Sequence, residues 1–212
     1  MKRMTPGLLL VSLSTLALVA CSPEDAGPNT ASAPSTSVTQ ADTSAAPDPA
    51  PAAVRDSAAG LSWTVPSHWQ TLPQRPMRVV TYHAPPAHGD SDPGEMAVFY
   101  FGPREGGTVD ANVERWFNQF DQEDGRPTRE VAERERIEVD GLPVTRVRAR
   151  GTYNAAAGPM APRADIRPNY RLIGAIAEGP EGAVFFKFTG PERTVLEQSA
   201  MFDQLVGSLR RD

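Results

Sequence analysis

Residues 22–58 contain almost nothing that could form a hydrophobic core, and this stretch limits where the chain can fold. It holds six prolines among Ala, Ser and Thr, no aromatic residue, and only Val38 and Val54 as branched aliphatic residues. Such a segment cannot bury enough apolar surface to offset the entropy lost on ordering. We therefore expect residues 21–58 to be a disordered tether and residues 59–212 to form one globular domain.

The first 20 residues have the pattern of an export signal. Lys2 and Arg3 make the start positive, and the apolar run 8–20 follows. This run is too short for a transmembrane helix, which needs about 20 apolar residues, because polar residues follow it at once. The pattern therefore predicts a signal peptide over residues 1–20.

The signal segment ends in Leu18-Val19-Ala20-Cys21, which resembles the lipobox of bacterial lipoproteins. The resemblance implies that Cys21 is lipidated and becomes the first residue after cleavage. An ordinary signal peptide is the alternative, although Leu18 fits poorly the small-residue site that such cleavage requires. Two or three acyl chains anchor a protein stably, whereas one binds a membrane only marginally. Ser22 after the cysteine resembles lipoproteins sent to the outer membrane, so we expect the cell envelope, with the domain facing the periplasm.

The net charge argues against a nucleic-acid partner, and the cysteine content excludes a disulfide within the chain. Removing Lys2 and Arg3 from the 21 basic residues leaves 19 against 26 acidic ones, a net charge of about −7. This sign is wrong for a phosphate backbone, so we expect no nucleic-acid partner. Cys21 is the only cysteine, and no disulfide can form within the chain.

The pattern of apolar residues predicts an α+β fold. Alternation or short apolar runs indicate strands at 61–65, 77–82, 96–101, 131–139, 142–149, 172–177 and 183–188. Helical spacing indicates helices over 108–125 and 189–209. Asp140-Gly141 predicts a two-residue hairpin in which Glu135 faces Arg146 and Glu133 faces Arg148. This order favours a mostly antiparallel sheet with helices packed on its faces.

Two short motifs lie at the ends of this domain: Trp63-Thr-Val-Pro66-Ser-His-Trp69 at its start, and Phe202 with Ser208-Leu209 at its close. The first is similar to the strand, proline and tryptophan that open PsbP-like domains, and the second is similar to the end of their last helix. The resemblance covers most of residues 60–210 and departs from the family at the Ala-, Gly- and Pro-rich insert 153–169. It implies a PsbP-like fold, whose members mostly act as binding modules on larger assemblies.

The residues that commonly carry chemistry form no recognised motif. His68, His83 and His88 lack metal-ligand spacing, no serine lies in Gly-x-Ser-x-Gly, and the cysteine is committed to lipid. The loop 102–108 has the glycines of a phosphate loop, but the lysine before Thr108 is absent, so a plain helix cap explains it. We therefore assign no catalytic residue, no metal site and no cofactor.

The leading hypothesis is a membrane-anchored envelope lipoprotein whose domain is a non-catalytic protein-binding or scaffolding module, bound to the membrane by its lipid and to another envelope protein by its surface. The alternative is a small-ligand binder or enzyme with a pocket under the insert 153–169, and a structural spacer is a third possibility. The insert itself is either functional or disordered. The partner surface is predicted to include Tyr153, Met160, Tyr170, Arg146 and Arg148.

Overall fold

The computed structural model describes residues 53–154 and 165–212. The signal peptide, Cys21 and Met160 lie outside these residues. Within them, strands predominate and helices are short. In chain order the elements are β1 (Arg55–Ala58), β2 (Leu61–Thr64), β3 (Gln70–Thr71), β4 (Val80–Ala84), β5 (Gly94–Tyr100), α1 (Val109–Phe117), β6 (Phe120–Asp121), a 3-10 turn (Thr128–Glu130), β7 (Glu133–Val139), β8 (Leu142–Asn154), β9 (Ile166–Gly179), β10 (Gly182–Pro191), α2 (Glu192–Glu197), α3 (Ser199–Gly207) and β11 (Arg210–Arg211).

All strand pairs given for the described residues are antiparallel. The large sheet has the order β3-β4-β5-β10-β9-β8-β6, and β7 also pairs with β8. A smaller sheet has the order β1-β2-β11. The fold class is therefore α+β with a mostly antiparallel sheet, which confirms the sequence prediction. None of the described helices is long and apolar enough to cross a membrane.

One face of the large sheet packs against β2 and the C-terminal helices. Trp63 meets Phe186 edge to face with ring centroids 5.1 Å apart, and Phe188 stacks on Phe202 at 6.1 Å. Tyr82 is fully buried there, accepts a 3.1 Å hydrogen bond from Trp63 Nε1 and donates one to Asp56. Burial and the Asp56 bond raise the pKa of Tyr82, so its hydroxyl stays protonated. We call this side the C-terminal face.

The opposite face packs against helix α1, and we call it the α1 face. Thr108 caps the helix by accepting a 3.1 Å hydrogen bond from the Ala111 amide, as the cap interpretation of this loop predicted. Trp116 lies directly on Gly174 of β9, where an added Cβ would be 2.4 Å from the indole ring. The glycine is therefore required by this close packing.

Several element boundaries differ from the sequence prediction. The first helix ends at Phe117 rather than near residue 125, because Phe120 pairs with Tyr153 in the short strand β6. Met77 was assigned to a strand but precedes β4, with φ of 65° and 73% of its surface exposed. The predicted last helix is divided into two helices, which meet at Gln198. Pro191 stands at the N-cap position of the first one, and no side chain caps it with a hydrogen bond.

A register shift in the long hairpin β8–β9 determines which residues share the α1 face near its end. Gly151 pairs with Tyr170 and Tyr153 pairs with Arg167, so two steps on β8 match three on β9. Asn169 lies at the extra residue and has φ of 56°. A bulge of this kind reverses the alternation of side chains beyond it. Arg167 therefore lies on the same face as Tyr170.

Candidate functional site

A polar cavity of about 330 Å³ opens on the α1 face where the sheet continues beyond the C-terminal end of α1. Its lining includes both cationic and anionic side chains and two tyrosines: Arg78, Asp92, Glu95, Tyr153, Arg167 and Tyr170. Strands β8, β9 and the residues around β5 supply them. Together with Lys187 on β10, we call these residues the Lys187 site.

Lys187 is the only cation on its strand and lies on the same face as Thr189, another lining residue. Its Nζ donates to Gln119 Oε1 at 2.6 Å and to the Tyr153 hydroxyl at 3.1 Å, and it lies 5.2 Å from the Tyr153 ring centroid. Gln119 follows Asn118, the C-cap of α1, so the helix end positions the first of these acceptors. The ammonium group thus links the helix end to the wall of the cavity.

Withdrawal from water perturbs this ammonium group. Lys187 keeps some accessible surface, but the atoms packed around Nζ lower its pKa to about 8 through desolvation. The negative charge of Glu95 raises the pKa of Lys187, and the positive charge of Arg78 lowers it. At neutral pH the group therefore remains mostly an ammonium ion, which binds anions, with roughly a tenth present as the neutral amine.

The two tyrosines form an aromatic wall. Their rings stack with centroids 5.9 Å apart and planes 3° from parallel, and Phe120 packs behind Tyr153 at 5.0 Å. Burial, and secondarily Glu95, raises the pKa of Tyr153 to about 12, so its hydroxyl carries a proton throughout the physiological range. Tyr170 donates instead to Asp92 at 3.1 Å.

The remaining charges of the cavity are paired with one another. The Glu95 carboxylate forms ion pairs with Arg78 at 2.9 Å and with Arg75 at 3.1 Å. Arg167 pairs with Asp165 at 2.7 Å and with Asp92 at 3.5 Å. Among the described residues, Lys187 forms no such pair. These pairs are partly exposed, so we assign them a positioning role rather than a large contribution to stability.

Two exposed apolar residues stand next to lining residues along the chain. Met77 immediately precedes Arg78, and Ile166, which is 61% exposed, immediately precedes Arg167. Met77 also holds a left-handed backbone conformation that is uncommon for a residue of this type. The site therefore has a polar, partly desolvated centre, and two exposed apolar residues adjoin its lining along the chain. The Ile166 side chain leaves β9 on the face opposite Arg167, because Ile166 pairs with Asn154 next to the Arg167–Tyr153 pair.

The structure brings some of the sequence-predicted surface residues together and separates others. Tyr153 and Tyr170 meet in the Lys187 site. Arg146 and Arg148 lie on the C-terminal face, where Arg146 pairs with Asp203 of α3 and Arg148 with Glu133 at 3.4 Å. Met160 falls outside the described residues, as does the lipidation residue Cys21.

The three histidines do not converge. His68 Nε2 lies 3.1 Å from Gln198 Oε1 in the turn before β3, consistent with a turn or packing role. His83 lines the Lys187 cavity, and the His88 carbonyl accepts from Arg193 at 2.8 Å. The described part of the chain contains no group of three or more metal-ligating side chains.

Sequence reasoning missed Lys187, although a signal was present. All basic residues other than Lys2 and Lys187 are arginines. Lys187 is the one lysine beyond the signal segment, and it interrupts the apolar run 183–188. An ammonium group in such a run is costly to bury and shifts its pKa readily, which marks it as a candidate site residue.

Comparisons with known proteins give a structural likeness and no family. No family model matches the chain, and no curated protein matches it significantly. A cyanobacterial PsbP (CyanoP) from Synechocystis sp. PCC 6803 is similar over 75% of this chain and 92% of its own, with 13% identity and a TM-score of 0.46. A protein of unknown function from Pseudomonas aeruginosa, PA94, is similar over 76% and 97%, with 9% identity and a TM-score of 0.45.

A PsbP structure is thus among those the chain resembles, as the sequence resemblance led us to expect. Identities of 13% and 9% with these TM-scores concern the path of the chain alone. The functional conclusions below therefore rest on the residues of this protein.

Proposed function

We propose that this chain is a lipid-anchored protein of the bacterial envelope and that its globular domain is a non-catalytic protein-binding module. The Lys187 site and the exposed residues Met77 and Ile166, which adjoin its lining along the chain, form the docking surface for another envelope protein. The anchor is Cys21, which places the domain at the outer membrane, facing the periplasm. A tether of this length keeps the domain near membrane-bound partners and raises its effective concentration there.

The observation that carries the binding proposal is the desolvated ammonium beside a cavity whose lining adjoins two exposed apolar residues along the chain. Of the five large apolar side chains with substantial exposure among the described residues, Met77 and Ile166 immediately precede residues that line this cavity. Exposed apolar groups around a partly buried polar centre are typical of surfaces that exclude water when a partner binds.

The lipobox and the short apolar run support the anchor. Both are features of the sequence. A cleaved and acylated Cys21 supplies the only hydrophobic membrane contact that we assign to the chain, because several acyl chains hold a protein at a bilayer without a spanning segment.

A small-ligand function is the second candidate and uses the same cavity. Tyr153 and Arg167 line the cavity and lie at the two ends of the insert, where the sequence predicted a pocket. About 330 Å³ is at the lower end of the volumes that hold small organic ligands. The lining is mostly polar, however, whereas such pockets are mostly apolar, so we favour the docking surface.

Crosslinking followed by isolation from membranes tests the docking surface. We compare the wild-type chain with the double variant Met77→Asp, Ile166→Asp and with the control Glu138→Arg. Asp suits the left-handed backbone at residue 77, so the double variant should fold. Glu138 is exposed and pairs with Pro143 of β8. Pro143 precedes Tyr153 by ten residues along that strand, so Glu138 lies roughly 30 Å from the site.

We expect one reproducible partner with the wild type and the control and its loss with the double variant. Recovery of no reproducible partner by the wild-type chain would contradict the proposal, and so would equal recovery by the double variant. Far-ultraviolet circular dichroism of each purified protein shows that the variants are folded.

A further inference from the structure

The charge inventory of the Lys187 site lacks one anion. Arg75 and Arg78 share Glu95, and Arg167 is matched by Asp92 and Asp165. Lys187 has only the neutral acceptors Gln119 and Tyr153 among the described residues. Residues 155–164 contain no Asp or Glu that could neutralise it. Desolvated charges in proteins are normally paired, so the ammonium is short of a counter-ion.

Two hydrogen-bond donors at this point have no described acceptor. An ammonium group has three N–H donors, and Lys187 uses two of them. The Tyr153 hydroxyl accepts from Lys187, and no described residue takes its own proton. Because Tyr153 lines the cavity, its hydroxyl can donate to an occupant while Lys187 polarises it from behind.

We infer that the Lys187 site binds a carboxylate group of the partner, which accepts a hydrogen bond from the Tyr153 hydroxyl, while the Lys187 ammonium behind that hydroxyl supplies the positive charge. This inference rests on the proposed docking function for the source of the carboxylate. No covalent step is involved. The carboxylate completes the charge inventory of the site and takes the Tyr153 proton, for which no described residue is an acceptor.

The surrounding charges select a single negative charge. Arg78 and Arg167 line the same cavity as Asp92 and Glu95, so the two positive and two negative charges balance and the Lys187 ammonium leaves one positive charge without a counter-ion. A carboxylate carries the one negative charge that is missing, whereas a doubly charged phosphate group exceeds it by one. The site therefore favours a carboxylate over a phosphate.

The aromatic wall selects an apolar group beside the carboxylate. The stacked rings of Tyr153 and Tyr170 line the cavity and present an apolar surface next to the Tyr153 hydroxyl. A C-terminal apolar residue places its carboxylate and its side chain on the same carbon atom. We therefore assign the occupant as the C-terminal carboxylate of a partner chain that ends in an apolar residue.

A titration with two matched probes tests the assignment. N-acetyl-leucine carries the carboxylate and the apolar side chain, and N-acetyl-leucinamide is its uncharged counterpart. The reporter is the Cε resonance of Lys187 in the lipidated chain, purified in detergent and labelled with 13C-lysine, which marks only Lys187 once residues 1–20 are removed. Acetate and inorganic phosphate are the two further probes.

We expect N-acetyl-leucine to move the Lys187 resonance and to raise the pKa read from it, with a dissociation constant at least about tenfold lower than that of any other probe. Tyr153→Phe keeps the ring and removes the hydroxyl, so it should weaken binding by about tenfold. Arg136→Gln, an exposed change on β7, should leave binding unchanged.

Equal effects of N-acetyl-leucine and its amide would overturn the carboxylate. Equal effects of acetate would assign the site to free small carboxylates and overturn the chain terminus, and stronger binding of phosphate would overturn the charge argument. No effect of N-acetyl-leucine, while the Met77→Asp, Ile166→Asp variant still loses its partner, would overturn this inference and leave the docking surface intact. Binding of N-acetyl-leucine by a chain that recovers no partner would overturn the docking surface instead, and with it the assignment to a chain terminus.

Discussion

Replacing Lys187 by methionine should remove a specific pH dependence from the stability of the fold. Desolvation lowers the pKa of Lys187 from 10.5 to about 8 in the folded chain, and unfolding restores the ordinary value. Between these two values the unfolded state binds more protons than the folded state. The free energy of unfolding therefore rises with pH in this window, and below it the cost of the desolvated charge is fully present.

The size of this effect follows from the two pKa values. From about pH 7 to about pH 9.5, proton linkage for one such group amounts to about 2 kcal/mol of added stability. Lys187→Met lacks the group, and Lys187→Arg keeps a permanent charge, so neither variant should show this increment. All other titrating groups are common to the three proteins and cancel in the difference.

Urea unfolding of the three proteins at both pH values measures the difference. We expect the wild type to gain about 2 kcal/mol relative to Lys187→Met as the pH rises. If the free energies of the wild type and the methionine variant change in parallel across this range, the ammonium is open to water or paired with a carboxylate, and the reasoning about the site is wrong.

Two further predictions concern the anchor and the packing of α1. Cys21→Ser should abolish incorporation of radioactive fatty acid and cause the unprocessed precursor to accumulate, and retained label would refute lipidation at this residue. Gly174→Val should lower the free energy of unfolding by at least about 1–3 kcal/mol, because an added Cβ would be 2.4 Å from the Trp116 ring. Gly207→Ala in α3, where a Cβ meets nothing within 4 Å, is the matched control and should be neutral or stabilising. Equal urea midpoints for the two glycine variants would contradict the packing described for α1.

Local patterns predicted the long hairpin correctly, because its determinants lie close together in the chain. Asp140-Gly141 has positive φ at both residues, as a two-residue turn of this type requires. That turn sets the register, and Glu135 faces Arg146 as predicted. The alternation of side chains then follows for every residue along the pair.

The break in the last helix could not be predicted from local spacing, because distant residues hold it. Gln198 lies at the junction of α2 and α3, and its side-chain oxygen accepts from Trp69 at 3.0 Å and lies 3.1 Å from His68. These residues are 129 and 130 positions away along the chain. Helical periodicity contains no information about such a contact.

The Lys187 site was hidden for a related reason. Simple alternation places Arg167 and Tyr170 on opposite faces of β9, yet the bulge at Asn169 brings them to one face. The same alternation separates Arg146 and Arg148 from Tyr153, although all three lie on β8. The unusual lysine in an apolar strand was the one sequence signal for this site.

The place at which the partner crosslinks is the most direct test of the docking surface. A photoreactive amino acid is introduced at Met77 in one strain and at Glu138 in another, and both chains are irradiated in intact cells. We predict a discrete crosslinked partner from residue 77 and none from residue 138. The same product from both positions, or a product from residue 138 alone, would contradict a docking surface centred on Lys187.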